Sequence, residues 1–196
     1  MAVIDPLKIT LTNLLKDEVI ETPLFPKNLD AGKRNVILGK TIYIERKDFR
    51  EVDDPDFFGL APGKEVGLKY AGLMKCEKVL KDKNGEIIEL ECSYNNDNRK
   101  VKGRLHWISN NDSVRSVVNL YDYLFYVDEI SVENYLQDLN QKSLIVMENA
   151  MVHHSVANDK LKESTHFQFE RVGYFVVDKD TKVKEDKYVF NLTVNC

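Results

Sequence analysis

EKVLKDKNGEIIELECSY, residues 77–94, is where the fold declares itself. Asn84-Gly85 sits between two runs of strand-forming residues, and Asn-Gly supplies the positive φ angles that a two-residue type I′ turn needs. Beyond the turn, Ile88, Leu90, Cys92 and Tyr94 point one way while Glu89, Glu91 and Ser93 point the other. That period of two marks a strand with one buried face.

The same signal recurs on both sides. Ile9-Thr-Leu-Thr12 alternates after the turn-forming Asp5-Pro6. Val36-Ile-Leu38 and Ile42-Tyr-Ile44 flank Gly39-Lys40 and predict a second hairpin. VKGRLHWIS at 101–109 and VVNLYDYLFYV at 117–127 predict longer strands, the latter dense in β-branched and aromatic side chains. Strands at 144–147, 167–172, 174–178 and near 188–194 complete the set. Only residues 131–139 carry a helical pattern, with Ser131 as N-cap. Many short strands with little helix predict an all-β fold, a sandwich or a barrel.

The chain has 196 residues, enough for one large β domain or two small barrels. Its hydrophobic fraction of 43% and charged fraction of 31% are those of a globular protein. No apolar run approaches the roughly 18 residues of a membrane span. The opening Met1-Ala-Val-Ile-Asp-Pro6 lacks the regions of a secretory signal, so a cytoplasmic protein with no membrane partner is expected. Cys76, Cys92 and Cys196 have neither even number nor CxxC spacing, and read as reduced thiols. The net charge of -4 weighs against gripping nucleic acid by charge alone.

For catalysis the sequence offers little. His153-His154 has only His166 anywhere near as a third imidazole and reads as an ordinary pair, since zinc needs three or four ligands. His106 lies inside a strand pattern, and Asp53, Asp54 and Asp56 read as a solvated loop. No nucleophile elbow, P-loop or dinucleotide fingerprint follows any strand. No catalytic residue and no metal site are therefore expected. For binding, Arg99, Lys100, Lys102 and Arg104 form a basic strand edge that could touch phosphates or simply protect the edge. In Phe167-Gln-Phe-Glu-Arg171 the two phenylalanines are expected to plug the core, which leaves Gln168 and Glu170 on the opposite face. Glutamine and arginine are good readers of base edges.

Those residues also carry a resemblance. AVIDPLKITLTN at 2–13, IERKDFRE at 44–51, LAPGKEV at 60–66, KVKGRLHWIS at 100–109, LYDYLF at 120–125, FQFERVGYF at 167–175 and FNLTV at 190–194 follow one another in register. Together they resemble the C-terminal anticodon-binding region of class I glutaminyl-tRNA synthetases over nearly the whole chain. The eukaryotic-type glutamyl-tRNA synthetases share this architecture and are the alternative, but HWIS and FQFERVGYF look like the glutamine branch.

The resemblance implies two packed, interleaved β-barrels of the kind also seen in a ribosomal 5S-RNA-binding protein. Residues 1–22 plus 112–196 would form the barrel proximal to the catalytic body, and 23–111 the distal one. It implies a longer parent that ligates glutamine to its tRNA with ATP and Mg in a catalytic domain whose signatures are absent from this sequence. The chain would then be a non-catalytic fragment without a cofactor of its own. Implied partners are the tRNA(Gln) anticodon loop and the catalytic domain of the same polypeptide, with other synthetases as docking partners in a multi-enzyme complex, and no DNA.

By the same resemblance, Gln168 matches the glutamine that reads the central uracil, and Glu170 and Arg171 shape its pocket. Lys69 matches a basic position at the pocket for the first anticodon base, with Tyr70 beside it to stack on a base. Lys27 and Asn28 fall in a loop that carries a base-contacting polar residue. Departures cluster nearby. Gly59 and Phe58 stand where an arginine and a lysine are usual, Gly67 lacks a basic side chain, and Tyr123 replaces an arginine. A further arginine of the central pocket would precede Met1.

Overall fold

The computed structural model describes every residue except Pro26, Lys27, Leu29, Ala31, Asn98, Ser131, Val132, Asn134, Asp159 and Cys196. Among the described residues no helix exceeds a three-residue 3₁₀ turn, so the fold is all-β. Two compact units interleave along the chain: Met1–Val114 with Met151–His154, and Arg115–Ala150 with Ser155–Cys196.

The first unit contains β1 (Ala2–Val3), β2 (Pro6–Leu11), β3 (Glu18–Pro23), β4 (Lys33–Leu38), β5 (Thr41–Glu45), β6 (Glu65–Leu68), β7 (Leu73–Lys81), β8 (Ile87–Asn95), β9 (Arg104–Leu105) and β10 (Ile108–Ser109). A curled sheet runs in the order β10-β5-β2-β8-β7-β6-β9, and β3 with β4 makes a separate ribbon. The β2–β8 and β6–β9 pairs are parallel. Leu7, Ile9 and Leu11 of β2, Ile42 and Ile44 of β5, Leu90 and Cys92 of β8, and Trp107 fill the core. Each such side chain contributes about 1.5–3 kcal/mol by leaving water.

The second unit holds most of β11 (Ser113–Tyr121) and β12 (Leu144–His153), whose residues 113–114 and 151–153 belong to the first unit, with β13 (His166–Phe169), β14 (Gly173–Val177) and β15 (Val189–Asn195). The sheet order is β1-β12-β11-β15-β14-β13, with β1 antiparallel to the first-unit end of β12 and β11 parallel to β15. An aromatic cluster forms its core. Phe169 stacks on Phe175 at 4.5 Å, and Phe190 meets Phe169 and Phe167 edge-on at 5.3 and 5.9 Å.

Several expectations change; the strand expected over 117–127, for one, ends at Tyr121. The hairpin of residues 77–94 exists as β7–β8, but its turn is not type I′. Only Gly85 has positive φ, because the Asp82 carboxylate accepts hydrogen bonds from the Asn84 and Glu86 backbone N–H groups and holds a longer loop. Strands β4 and β5 do not pair as a hairpin; each joins a different sheet. At that corner Gly39 N–H donates to Ser109 Oγ at 3.1 Å, and Leu11 N–H donates to the Lys40 carbonyl. The stretch 101–109 breaks into β9 and β10, which pair with different partners. Of the helix expected over 131–139, Ser131, Val132 and Asn134 lie outside the described residues, and 135–137 are turns. Leu139 bridges Phe125, and Tyr126 N–H donates to the Asp138 carbonyl, so Asp138 and Leu139 pair back onto residues 125–126 instead of continuing a helix. Nine residues are too few for a helix without tertiary support.

Glu45 closes β5 in the core, with Oε1 accepting the Ile4 N–H at 2.7 Å and Oε2 the Asp5 N–H at 3.2 Å. Burial pushes its carboxyl above the usual range, against those two N–H bonds. A folded pKa above the unfolded one means that Glu45 favours folding fully at low pH, and that this advantage is lost as pH rises through the raised value. Glu45→Gln should therefore gain on the native protein as pH rises from about 4 to 7. Urea midpoints across that range would check it; stability profiles that stay parallel would refute it.

Candidate nucleic-acid interface

The β13–β14 hairpin presents the residues expected to read the central base. Phe169 is buried and Phe167 half-buried, while Gln168 faces outward. Val172 N–H donates to the Phe169 carbonyl at 2.9 Å and closes a four-residue turn. Arg171 is its third residue, with φ of 66°. Positive φ at that position is the type II signature, normally met by glycine. Holding arginine there costs on the order of 1 kcal/mol, and it projects an exposed guanidinium from the hairpin tip. Glu170 is half-buried beside it. Gln168 pairs across the hairpin with Tyr174, whose ring is 48% exposed. The sequence reading missed Tyr174; the signal was its place opposite Gln168 in the alternation. An exposed aromatic next to an amide offers a stacking surface beside a hydrogen-bonding group. Gly173 keeps this arrangement tight, since a Cβ there would lie 2.5 Å from the Val194 carbonyl oxygen.

A second turn, in the first unit, joins β6 to β7. Ala71 N–H donates to the Leu68 carbonyl at 3.1 Å, and Tyr70 is the third residue with φ of 65°. A large side chain thus again occupies a position that suits glycine. Trp107, fully buried, donates from Nε1 to the Lys69 carbonyl at 2.8 Å, and Lys69 N–H donates to the Leu105 carbonyl. These bonds fix the turn to the core. Lys69 Nζ lies 5.1 Å from the Tyr70 ring centroid, a cation–π contact that presents charge and ring together.

The departures acquire physical reasons. At Gly59 a Cβ would lie 2.2 Å from Phe57 Cζ and 2.4 Å from the Asp48 carbonyl oxygen, so no arginine fits there. Phe57 instead meets two cations, with Arg50 at 4.4 Å and Lys64 at 5.4 Å from its ring centroid. Lys64 also pairs with Asp53 at 2.6 Å, and that bond holds the Asp53 carboxyl below its ordinary range. At Gly67 a Cβ would lie 2.8 Å from Arg104 Cγ. Arg104 crosses this glycine and donates from Nη1 to the Leu68 and Ala71 carbonyls at 3.2 and 3.4 Å. The positive charge missing from position 67 thus reaches the same turn from β9. Arg99 is engaged by Glu65 and Asp97, so the basic edge is partly neutralised.

Asn28 is exposed, and its Oδ1 accepts the Asp30 N–H at 3.1 Å. Lys27 lies outside the described residues. Phe58 and Tyr123 are exposed, at 61% and 84%. The structure therefore gathers Gln168, Glu170 and Arg171 on one hairpin of the second unit, and Lys69 and Tyr70 on one turn of the first.

Glutamine on β13, and arginine, lysine and tyrosine on the two turns, are side-chain types that single-stranded RNA readers set against unstacked bases. Residues 1–95 and 104–178 match two family models, each described as tRNA synthetases class I (E and Q), anti-codon binding domain. The chain belongs to this family. It is 44% identical to a probable glutamine--tRNA ligase of Dictyostelium discoideum over 201 residues, covering 100% of this chain and 25% of that protein. It is 39% identical to the glutamine--tRNA ligase of Bradyrhizobium diazoefficiens, over 99% of this chain and 36% of the relative. The Buchnera aphidicola glutamine--tRNA ligase is 40% identical over 100% of this chain and 37% of its own length. The chain thus spans about a quarter to somewhat over a third of these relatives.

Proposed function

We propose that this chain is the anticodon-reading region of a glutamine–tRNA ligase, and that Gln168, Glu170 and Arg171 form the pocket for the central uracil of tRNA(Gln). The observation that carries this reading is the β13–β14 hairpin, where Gln168 faces solvent beside Tyr174 and Arg171 is held at positive φ. A side-chain amide can pair with a base edge, and a guanidinium can stack on a base or bind its phosphate. Lys69 and Tyr70, with Arg104, serve the first anticodon base; Lys27 and Asn28 contribute a further base contact. The relatives' names favour the glutamine branch over the glutamyl alternative.

By this reading the ligation of glutamine, with ATP and Mg, belongs to the remainder of a cytoplasmic parent polypeptide. The exposed Tyr123, Leu124, Tyr126 and Leu136 of the second unit are apolar side chains that such a remainder would cover. Which barrel is proximal and which distal is likewise part of the proposal.

Arg171→Gly offers a test with opposite signs. Relief of the left-handed strain should raise stability by about 0.5–1 kcal/mol, because glycine tolerates that φ. Affinity for a tRNA(Gln) anticodon stem-loop should fall, with a shallower salt dependence as one phosphate-range cation is lost. Fluorescence anisotropy at two salt concentrations, paired with urea unfolding, would measure both. Unchanged affinity would remove Arg171 from the site.

A further inference from the structure

His153 and His154 lack a third ligand in the sequence, and the structure supplies one. Asp112 ends a 3₁₀ turn (Asn110–Asp112) and is buried against the end of β12. Its Oδ2 lies 3.3 Å from His153 Nε2, and its Oδ1 lies 2.6 Å from His154 Nδ1. The two imidazoles stack with centroids 4.7 Å apart. One donor atom from each of the three residues falls within 4.8 Å of the others.

We propose that Asp112, His153 and His154 form a binding site for a divalent transition-metal ion of the zinc class. All three belong to the first unit and none is among the residues assigned to RNA, so metal binding can be measured apart from the anticodon reading. Two imidazoles and a carboxylate are a nitrogen-rich set that favours zinc, cobalt or nickel over magnesium or calcium. A tetrahedral zinc with bonds of about 2.0–2.2 Å places neighbouring donors roughly 3.3 Å apart. The 2.6 Å contact of His154 Nδ1 with Asp112 Oδ1 therefore has to open, while the overall spread of the donors, up to 4.8 Å, narrows. The 58% exposed His154 side chain can swing to do so, and its solvent side admits the ion and a water as fourth ligand.

The other two ligands are preset. Asp112 Oδ2 also accepts the Ile37 N–H at 2.9 Å, which orients the carboxylate. His153 N–H donates to the Met1 carbonyl at 3.0 Å, which anchors its backbone. Arg34 adds positive charge nearby, so the ion must draw its affinity from direct ligation by all three groups. A bound ion would pin the end of β12 to the 110–112 turn and, through Ile37, to β4.

Cobalt(II) titration of the 196-residue chain, read by visible absorption and by calorimetry, tests this directly. The expected result is one equivalent bound with tetrahedral-type bands, displaced by zinc and indifferent to magnesium. His154→Ala, at an exposed position that leaves the core intact, should weaken binding roughly tenfold or more. Asp112→Asn should abolish it; if that variant fails to fold by circular dichroism, His154→Ala decides alone. No bands and no heat with the native chain would overturn the proposal and leave a plain His–Asp pair. Binding that survives His154→Ala unchanged would overturn it equally, by placing the ion elsewhere.

Discussion

Gly103→Ala should destabilise the protein by about 3 kcal/mol, and lower its melting temperature by roughly 6–12 °C. A Cβ at this position would lie 1.7 Å from the Phe58 carbonyl oxygen. The obstacle is backbone, so no rotamer change relieves it. Either the loop holding Phe58 and Gly59 moves, or the chain entering β9 does. Both moves disturb the turn that carries Lys69 and Tyr70, because the Gly103 carbonyl accepts the Gly67 N–H at 2.9 Å and Arg104 crosses Gly67 immediately after. Gly85→Ala is the calibrating control. Its Cβ would meet nothing within 4 Å, and only its φ of 87° opposes the change. About 1 kcal/mol is expected there. Urea midpoints for the two variants should differ clearly, and a Gly103→Ala protein within 0.5 kcal/mol of the native one would show that the 57–60 loop does not brace β9.

Gln168→Ala should leave stability nearly unchanged and remove base discrimination. The side chain is exposed on β13, with its neighbours Phe167 and Phe169 carrying the packing. Surface truncations of this kind stay within about 0.5 kcal/mol. A bidentate amide–base contact is worth about 1–3 kcal/mol, so affinity for the cognate loop should fall roughly 5- to 150-fold. Gln168→Asn, which keeps the amide but retracts it by one methylene, should lose most of the same contact. The pattern differs from that of Arg171→Gly, whose loss should be similar for every sequence and should diminish with salt. An Ala variant that binds as tightly as the native protein would remove Gln168 from the reading site.

Strand content was readable because alternation is local. The Phe167–Gln168–Phe169 pattern placed the glutamine outward from spacing alone, and the aromatic cluster around Phe175 and Phe190 agrees with it. Connections were less readable, because they depend on long-range partners. Nothing near Gly39-Lys40 announces that Ser109 will take the Gly39 N–H and send β4 and β5 to different sheets. Asp82 altered the Asn84-Gly85 turn through its side chain, which a dipeptide rule ignores. Within the candidate site, Arg104 appeared in the sequence as one of several basic residues on an edge. Only the parallel pairing of β6 with β9 carries it over Gly67. Asp112 was invisible as a partner of His153 and His154 for the same reason.

The most direct measurement is binding of the full-length polypeptide to tRNA(Gln) anticodon stem-loops that differ only in the central base, at one fixed salt concentration. The native protein should prefer uracil at that position, and Gln168→Ala should flatten the preference to within about twofold while the fold is unchanged. Equal affinity of the native protein for all four bases, or a preference for uracil that survives in Gln168→Ala, would contradict the assignment of the β13–β14 hairpin as the reader of the central base.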